Sequence, residues 1–238
     1  MRLVRGRADT PSEDRAATAT MLARAGATGE EAFRAWTPHR QVAFGRRDTH
    51  ATDYDRACRA ARERGYAVLE RSVGGRAVAY TGSTAAFAHA LPLEDARRGL
   101  TERYEAGVDG VLVALHDLGA DAARGEPENA FCPGDHSVRL AAGGKIAGIA
   151  QRVQSGAALV AGCVLVDGRE DLVDVLTPVY AALDVPFAPD SVGTLADAGG
   201  STDPDSVCRA LERAFLGDED DPDVRVAAVA DLVRADEA

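Results

Sequence analysis

Residues 143–152 read Gly-Gly-Lys-Ile-Ala-Gly-Ile-Ala-Gln-Arg and contain Lys145, the only lysine among 238 residues. A glycine pair followed by small apolar residues is typical of a turn that opens a β-strand. The other 26 basic residues are all arginine. An ammonium and a planar guanidinium are not interchangeable where a point charge must reach a ligand oxygen. We therefore infer a functional reason for Lys145, with chance as the alternative.

The strand that begins at Lys145 has small residues at Ala147, Gly148 and Ala150. Such a strand packs poorly by itself and leaves room beside the sheet. We expect a ligand to fill this space, although a closely packed helix would serve as well.

Strands and helices interleave on both sides of this segment. Apolar runs bounded by glycine, proline and serine predict strands over residues 1–7, 34–36, 41–45, 66–71, 75–81, 85–91, 137–141, 145–153 and 157–166. Apolar periodicity and end signals predict helices over residues 11–27, 53–64, 93–118, 169–183, 205–216 and 223–235. Residues 119–133 are predicted to form a polar loop, and residues 217–223 an acidic linker.

Hairpin-connected strands mixed with helices predict an α+β fold with a mixed, largely antiparallel sheet and flanking helices. A doubly wound parallel sheet fits this order poorly. We expect a catalytic domain over residues 1–183 and a short helical C-terminal extension, residues 184–238, packed on it.

Composition narrows the class of protein. The net charge is -11, which disfavours nucleic acid as a partner. The chain has neither an apolar run of about 18 residues nor a signal-peptide pattern, so we expect no membrane partner and a cytoplasmic location. Cysteines 58, 132, 163 and 208 lack CxxC spacing, so we expect free thiols and no metal site.

A second glycine-rich segment, residues 71–80, reads Arg-Ser-Val-Gly-Gly-Arg-Ala-Val-Ala-Tyr. Glycines let a backbone approach a ligand, and free N–H groups beside Arg71 or Arg76 could hold an anionic or carbonyl group. On spacing alone, a tight hairpin is the preferred interpretation, because Gly-Gly is a common turn. No helix follows, which excludes the P-loop and GxGxxG patterns.

The two segments, about 70 residues apart, together resemble the signature segments of the lipoate-protein ligase and octanoyltransferase superfamily. Residues 34–38 and 42–47 match the opening strands of that family, so the resemblance covers about residues 30–167. It implies an antiparallel sheet with flanking helices, as in the biotin/lipoate ligase catalytic domain and class II tRNA synthetases. It also implies that the first segment wraps the acyl chain and that Lys145 meets the acyl carbonyl or an adenylate phosphate.

The resemblance implies ten substrate-binding positions beside the catalytic Lys145 and Cys132. They are Arg71, Gly74, Gly75, Arg76, Ala77, Val78, Gly144, Ala147, Gly148 and Gln151.

The segment 129–137, Asn-Ala-Phe-Cys-Pro-Gly-Asp-His-Ser, distinguishes the subgroups of the family. ATP-dependent ligases typically have Gly-Arg-Asn-Asp there, whereas Cys-Pro-Gly resembles the octanoyl amidotransferases. In those enzymes the cysteine takes an acyl group from the lysine of the glycine-cleavage carrier protein. A thiolate near a cation is a reasonable nucleophile, while the alternative for Cys132 is a buried small hydrophobe. His136 is a weaker candidate for a base.

Chain geometry limits this hypothesis. Roughly seven extended residues span about 23 Å, so a flat hairpin would keep Cys132 and Lys145 far apart. The loop must fold back if both residues are catalytic.

The leading hypothesis is transfer of a lipoyl or octanoyl group to the lysine of a lipoyl domain through a Cys132 thioester, without a cofactor. The acceptor would be the E2 component of a 2-oxoacid dehydrogenase or the glycine-cleavage carrier protein. The second hypothesis is a lipoate-protein ligase that uses ATP and Mg and forms a lipoyl-adenylate. The resemblance implies an accessory domain in such ligases, and the helical tail after Asp167 is shorter than that domain. We therefore expect the transferase rather than a self-sufficient ligase, with a ligase that has a separate partner subunit as the alternative. The third is a non-catalytic paralogue that binds an acyl group or a nucleotide.

Overall fold

The computed structural model describes residues 1–71, 74–217 and 223–236. The strands are β1 (Arg2–Arg5), β2 (Ala32–Trp36), β3 (Gln41–Phe44), β4 (Ala67–Glu70), β5 (Val78–Tyr80), β6 (Thr84–Pro92), β7 (Ala122–Arg124), β8 (Ser137–Leu140), β9 (Lys145–Gln154), β10 (Ala157–Leu165) and β11 (Arg225–Ala228). The α-helices are α1 (Pro11–Thr28), α2 (Tyr54–Glu63), α3 (Leu100–Asp117), α4 (Arg169–Ala182), α5 (Pro204–Leu216) and α6 (Val229–Asp236). No helix within these ranges is long and apolar enough to cross a membrane.

The strands form two sheets. The large sheet has the order β11-β1-β2-β6-β10-β9-β8-β7, and the small sheet has the order β4-β3-β5. From β2 to β7 every neighbouring pair in the large sheet is antiparallel, whereas β1 pairs in parallel with both β2 and β11. The predicted α+β fold, a mixed and largely antiparallel sheet with flanking helices, is confirmed.

Local sequence signals define the bounds of α1. Thr10 caps the helix, because its side chain accepts from the Glu13 amide while the Glu13 carboxylate accepts from the Thr10 amide. Pro11 occupies the first turn, and Gly29 ends the helix in the left-handed conformation. The buried side of α1 packs against β6 and β10.

The side chains of β10 alternate between the two faces of the large sheet. Leu159 and Cys163 lie on the face that carries α1 and the small sheet, whereas Val160 and Val164 pack in the core beneath α3 and α5. Side chains along a strand repeat every two residues, so successive side chains point to opposite faces of the sheet. The first of these faces holds the site described below.

Three sequence predictions differ from the structure. Residues 223–235 were predicted as one helix, but β11 precedes α6, because residues 225–228 pair with β1 at the other end of the chain. The predicted loop 119–133 contains β7, which pairs with β8. The helix predicted from residue 93 begins at Leu100. Most of the predicted acidic linker lies outside the described residues.

The large sheet and α1 are joined by a buried ion pair. Arg34 in β2 is fully buried and donates hydrogen bonds to the Asp14 carboxylate and to the carbonyl of Gly6 at 2.9 Å. Burial lowers the pKa of Arg34 below its ordinary value, while Asp14 opposes this effect.

Replacing Arg34 by Met should lower the free energy of unfolding by about 3–5 kcal/mol, because Asp14 would remain buried without its partner. Urea unfolding measures this loss. The control Arg24→Met, which removes a partly exposed pair with Glu30, should cost less than about 1 kcal/mol. Equal losses in the two variants would contradict the structural role given to Arg34.

Candidate active site

A cavity of about 700 Å³ lies between α1, the small sheet and the face of the large sheet formed by β9 and β10. Its volume is typical of small-molecule sites. Most of the exposed wall is apolar. The apolar lining includes Ala19, Leu22, Trp36, Ala43, Leu69, Val78, Ala150, Leu159 and Ala161. Arg71, Cys132 and Lys145 line the same cavity and give it a polar region.

Cys132 lies in the loop between β7 and β8, residues 125–136, which we call the Cys132 loop. Its φ of 42° places it in the left-handed region, which is uncommon for a residue with a side chain. The Cys132 amide donates to the Tyr180 hydroxyl at 2.5 Å, and that hydroxyl donates to the Ala77 carbonyl at 2.9 Å. The Cys132 carbonyl accepts from Lys145 Nζ at 2.8 Å. The surroundings thus fix a strained backbone conformation.

The Cys132 sulfur contacts two hydrogen-bond donors. Arg71 Nη2 lies 3.0 Å from Sγ, and the Arg76 amide nitrogen lies 3.3 Å from it. Burial works to lower the pKa of Arg71, but its electrostatic interaction and hydrogen bond with Cys132 help to raise that pKa above its ordinary value. A guanidinium and an amide that both point at one sulfur stabilise a thiolate, which is the nucleophilic form of cysteine.

Two glycines allow this close approach. A Cβ at Gly75, where φ is +99°, would lie 2.3 Å from Arg71 Nη2 and 2.5 Å from Cys132 Sγ. A Cβ at Gly45 would lie 1.9 Å from the Gly75 carbonyl oxygen. Real Cβ atoms do not approach other atoms so closely, so both positions need glycine for backbone and sulfur to meet.

Lys145 is almost fully buried, with 1% of its surface exposed, and holds the Cys132 loop. Its ammonium donates to the Phe131 carbonyl at 3.0 Å, to the Cys132 carbonyl, and to the Glu126 carboxylate at 3.0 Å. These acceptors match the three N–H donors of an ammonium. The loop therefore folds back onto Lys145, and the separation of about 23 Å expected for a flat hairpin does not occur.

The path of the Lys145 side chain depends on two local features. The β8–β9 register shifts between Val138 and Arg139, which interrupts the regular alternation next to Lys145. A Cβ at Gly148 would lie 3.3 Å from Lys145 Cε. The room that the sequence indicated beside Gly148 is therefore occupied in part by the lysine stem.

The structure brings together seven of the twelve residues named from the sequence. Those that line the cavity are Arg71, Gly74, Gly75, Val78, Cys132, Lys145 and Gly148.

The other five lie around the cavity without lining it. Ala147 packs in the core beneath α3, and Gln151 bonds to Arg103 of that helix, because both residues lie on the face of β9 opposite Gly148. Gly144 packs against Gly193.

Ala77 and Arg76 act through their main chains, by the hydrogen bonds to Tyr180 and to the Cys132 sulfur. The Arg76 side chain instead pairs with the buried Asp48. Apart from the Arg76 amide, which reaches the Cys132 sulfur, these five residues can affect a ligand only through the residues they support.

The remaining cysteines are buried and free. Burial raises the pKa of both Cys163 and Cys208 to about 12. His136 lines the cavity, and its ring stacks on Tyr104 with 3.7 Å between the ring centroids.

Sequence reasoning missed three residues of this site: Glu126, Tyr180 and Gly45. Gly45 follows a strand and Glu126 precedes a proline, which are common surroundings for either residue. Tyr180 is one aromatic residue in a helix. Their roles depend on contacts with segments far away in the chain, which no local pattern records.

The fold and the site define an α+β domain in which a cysteine and a lysine meet beside an apolar cavity. The chain belongs to the lipoyl protein ligase A/B catalytic domain family, whose model matches residues 11–216.

Two relatives are named octanoyl-[GcvH]:protein N-octanoyltransferase. The protein of Geobacillus kaustophilus (strain HTA426) is 31% identical over 127 residues, which are 53% of this chain and 44% of the relative. The protein of Bacillus velezensis (strain DSM 23117 / BGSC 10A6 / LMG 26770 / FZB42) is 30% identical over 121 residues, 50% of this chain and 41% of the relative. Each match spans less than half of the relative's length.

Solved structures share the fold. Lipoate-protein ligase A bound with ATP has a TM-score of 0.74 and 21% identity, with 98% of this chain and 92% of that chain covered. The bi-partite lipoate protein ligase of Thermoplasma acidophilum, solved in a study that includes its E2 lipoyl domain, has a TM-score of 0.72 and 18% identity. The match covers 98% of this chain and 90% of the Thermoplasma chain.

Replacing Gly75 by Ala should displace the Cys132 sulfur from Arg71 and slow alkylation of Cys132 by about tenfold, because the thiolate loses a charged donor. Peptide mass spectrometry after timed exposure to iodoacetamide measures the rate. The matched control is Gly74→Ala, since a Cβ there meets nothing within 4 Å. Equal alkylation rates in the two alanine variants would contradict a role for Gly75 in the approach of the sulfur to Arg71.

Native alkylation at about pH 8 should modify Cys132 well before Cys163 and Cys208. Thiols with a pKa of about 12 remain protonated at that pH, and burial also blocks the reagent. Peptide mapping over time gives the order of modification. Modification of Cys163 as fast as Cys132 would show that the cavity wall is open and reactive.

Proposed function

We propose that this protein transfers an octanoyl or lipoyl group to the lysine of a lipoyl domain through a thioester on Cys132. The observation that carries the proposal is the sulfur, held by the Arg71 guanidinium and the Arg76 amide beside an apolar cavity. An acyl chain has a polar carbonyl and an apolar tail, and this cavity offers surroundings for both.

The chemistry consists of two exchanges at one carbonyl carbon. The Cys132 thiolate attacks the amide that links the acyl group to a donor lysine. The C–S bond forms, the C–N bond breaks, and the proton lost by the thiol ends on the departing amine. The acceptor lysine amine then attacks the thioester carbonyl. The new C–N bond forms, the C–S bond breaks, and a proton from the attacking amine ends on the sulfur.

The donors around the sulfur fit the charge that develops in both steps. Negative charge accumulates on the carbonyl oxygen, next to the atom that attacks or leaves. Arg71 and the Arg76 amide already lie at 3.0 and 3.3 Å from Sγ, within reach of an oxygen bonded to the adjacent carbon. Because their positions are preset by Gly75 and Gly45, little reorganisation is needed.

The two curated relatives support the class of reaction. Their names describe transfer of an octanoyl group from GcvH to a protein, and one structural neighbour comes from a study that includes an E2 lipoyl domain. We therefore propose a GcvH-like carrier as donor and a lipoyl domain as acceptor, in the cytoplasm and without ATP. The ATP-bound neighbour makes ligase activity the competing result of the test.

Incubation with an octanoylated carrier protein should give a hydroxylamine-sensitive octanoyl adduct on Cys132, detected by peptide mass spectrometry. Transfer to an apo lipoyl domain should proceed without ATP. It should fall at least about a hundredfold in Cys132→Ser, because the hydroxyl is a much weaker nucleophile at this site. Lys145→Arg should also lose transfer, because the planar guanidinium cannot reproduce the ammonium contacts.

The control for the serine variant is Cys208→Ala, which should keep transfer because Cys208 is a buried core residue of α5. Transfer that requires ATP and Mg²⁺ and survives Cys132→Ser would show that the protein is a ligase and would overturn the proposal. Acyl binding without transfer under either condition would indicate a non-catalytic paralogue.

A further inference from the structure

Glu126 contacts Lys145 at the start of the Cys132 loop and has no role in the reaction described above. We propose that Glu126 is a positioning residue, which together with Lys145 holds the Cys132 loop so that the sulfur faces Arg71 and the Arg76 amide. The inference rests on the proposed function, because it explains how the nucleophile of that reaction is presented.

Among the described residues, the side-chain hydrogen bonds of Lys145 all end in one loop. Glu126, Phe131 and Cys132 supply the acceptors, at 3.0, 3.0 and 2.8 Å from Nζ. The Phe131 ring lies beneath the ammonium, with 5.1 Å between Nζ and the ring centroid. A single cation therefore links the beginning of the loop to its reactive residue.

The carboxylate is needed because the ammonium is buried. Lys145 is 1% exposed, whereas the Glu126 side chain is 25% exposed and supplies the countercharge from the solvent side. Carbonyl dipoles alone compensate a buried charge poorly, so loss of the carboxylate favours movement of Lys145 away from this position. The carbonyls of Phe131 and Cys132 would then lose their shared donor.

The backbone of Cys132 makes the position of the sulfur sensitive to this donor. The left-handed φ of 42° is unfavourable for cysteine and persists only while neighbours hold it. The Lys145 bond to the carbonyl and the Tyr180 bond to the amide act on the two peptide groups that flank Cα. If the Lys145 bond is lost, Cys132 can relax and turn its sulfur away from Arg71.

This arrangement separates two tasks. All three N–H donors of Lys145 are bonded to the Cys132 loop, so the task of this residue is to hold that loop in place. Arg71 keeps its Nε donor buried and without a hydrogen-bond partner among the described residues. The geometry leaves Arg71 and the Arg76 amide to meet the reacting carbonyl oxygen.

The test compares Glu126→Ala and Glu126→Gln with the control Glu128→Ala. Glu128 is exposed, lies two residues away in the same loop and is outside the Lys145 contacts. Two rates are measured without any acyl carrier. They are the alkylation of Cys132 by iodoacetamide and the acetylation of Lys145 by an amine-reactive acetylating reagent. Because Lys145 is the only lysine, ε-amine acetylation reports on this residue alone.

Glu126→Ala should slow Cys132 alkylation by about tenfold, because the sulfur turns away from the charged donor Arg71. It should also speed Lys145 acetylation by a similar factor, because the ammonium is no longer held in the loop. Glu126→Gln, which keeps an acceptor, should lie between Ala and the parent protein, and Glu128→Ala should match the parent. In acyl transfer, kcat should fall with little change in KM. Unchanged or faster Cys132 alkylation in both Glu126 variants would overturn the proposal.

A purely structural role predicts a lower melting temperature with the Cys132 and Lys145 rates unchanged in the folded protein, and that result also overturns the proposal. If Glu126→Ala does not fold, Glu126→Gln decides by the same two rates. Failure of the proposed function is a separate result, namely a parent protein that transfers no acyl group. The alkylation and acetylation rates test positioning even then.

Discussion

The Lys145 ammonium donates its hydrogen bonds to one loop, through the Glu126 carboxylate and the carbonyls of Phe131 and Cys132. These bonds bring the loop before β8 back onto the first residue of β9, although the hairpin between them would otherwise carry the chain away. Phe131 then enters the core formed with the small sheet and α4. The position of Cys132, and with it the polar region of the cavity, follows from this one cation.

The other side of the sulfur is set by backbone packing. The chain at Gly45, just after β3, touches the Gly75 carbonyl, and Gly75 in turn leaves room for the sulfur and Arg71. Three segments that are remote in sequence thus lie in successive layers, and neither Gly45 nor Gly75 places a side chain between them. Such packing is rigid, because a displacement of any layer produces a clash with the next. Charge holds the loop from one side, and close contact limits it from the other.

Much of the fold could be predicted because its signals are local. The capping box of α1, the glycines after helices and the turn at residues 143–144 act within a few residues. The strand β11 was missed because its partner β1 is more than 200 residues away. The sequence marked Lys145 and Cys132 by composition and motif, yet Glu126 and Tyr180 join them only through tertiary contacts. Alternation along β9 explains why Gly148 lines the cavity and its neighbour Ala147 does not.

The geometry also explains why the one lysine of an arginine-rich protein stands at this position. The acceptors at Glu126, Phe131 and Cys132 surround a single nitrogen within 3.0 Å. An ammonium directs three bonds from one atom, whereas a guanidinium spreads its donors over a flat fork and suits a planar carboxylate. The stem of Lys145 must also pass beside Gly148, where a Cβ would come within 3.3 Å of Cε. On the surface, by contrast, either cation serves solubility and ion pairing, so a bias toward arginine meets no obstacle there. At residue 145 the convergence of acceptors and the narrow path along the strand oppose that replacement.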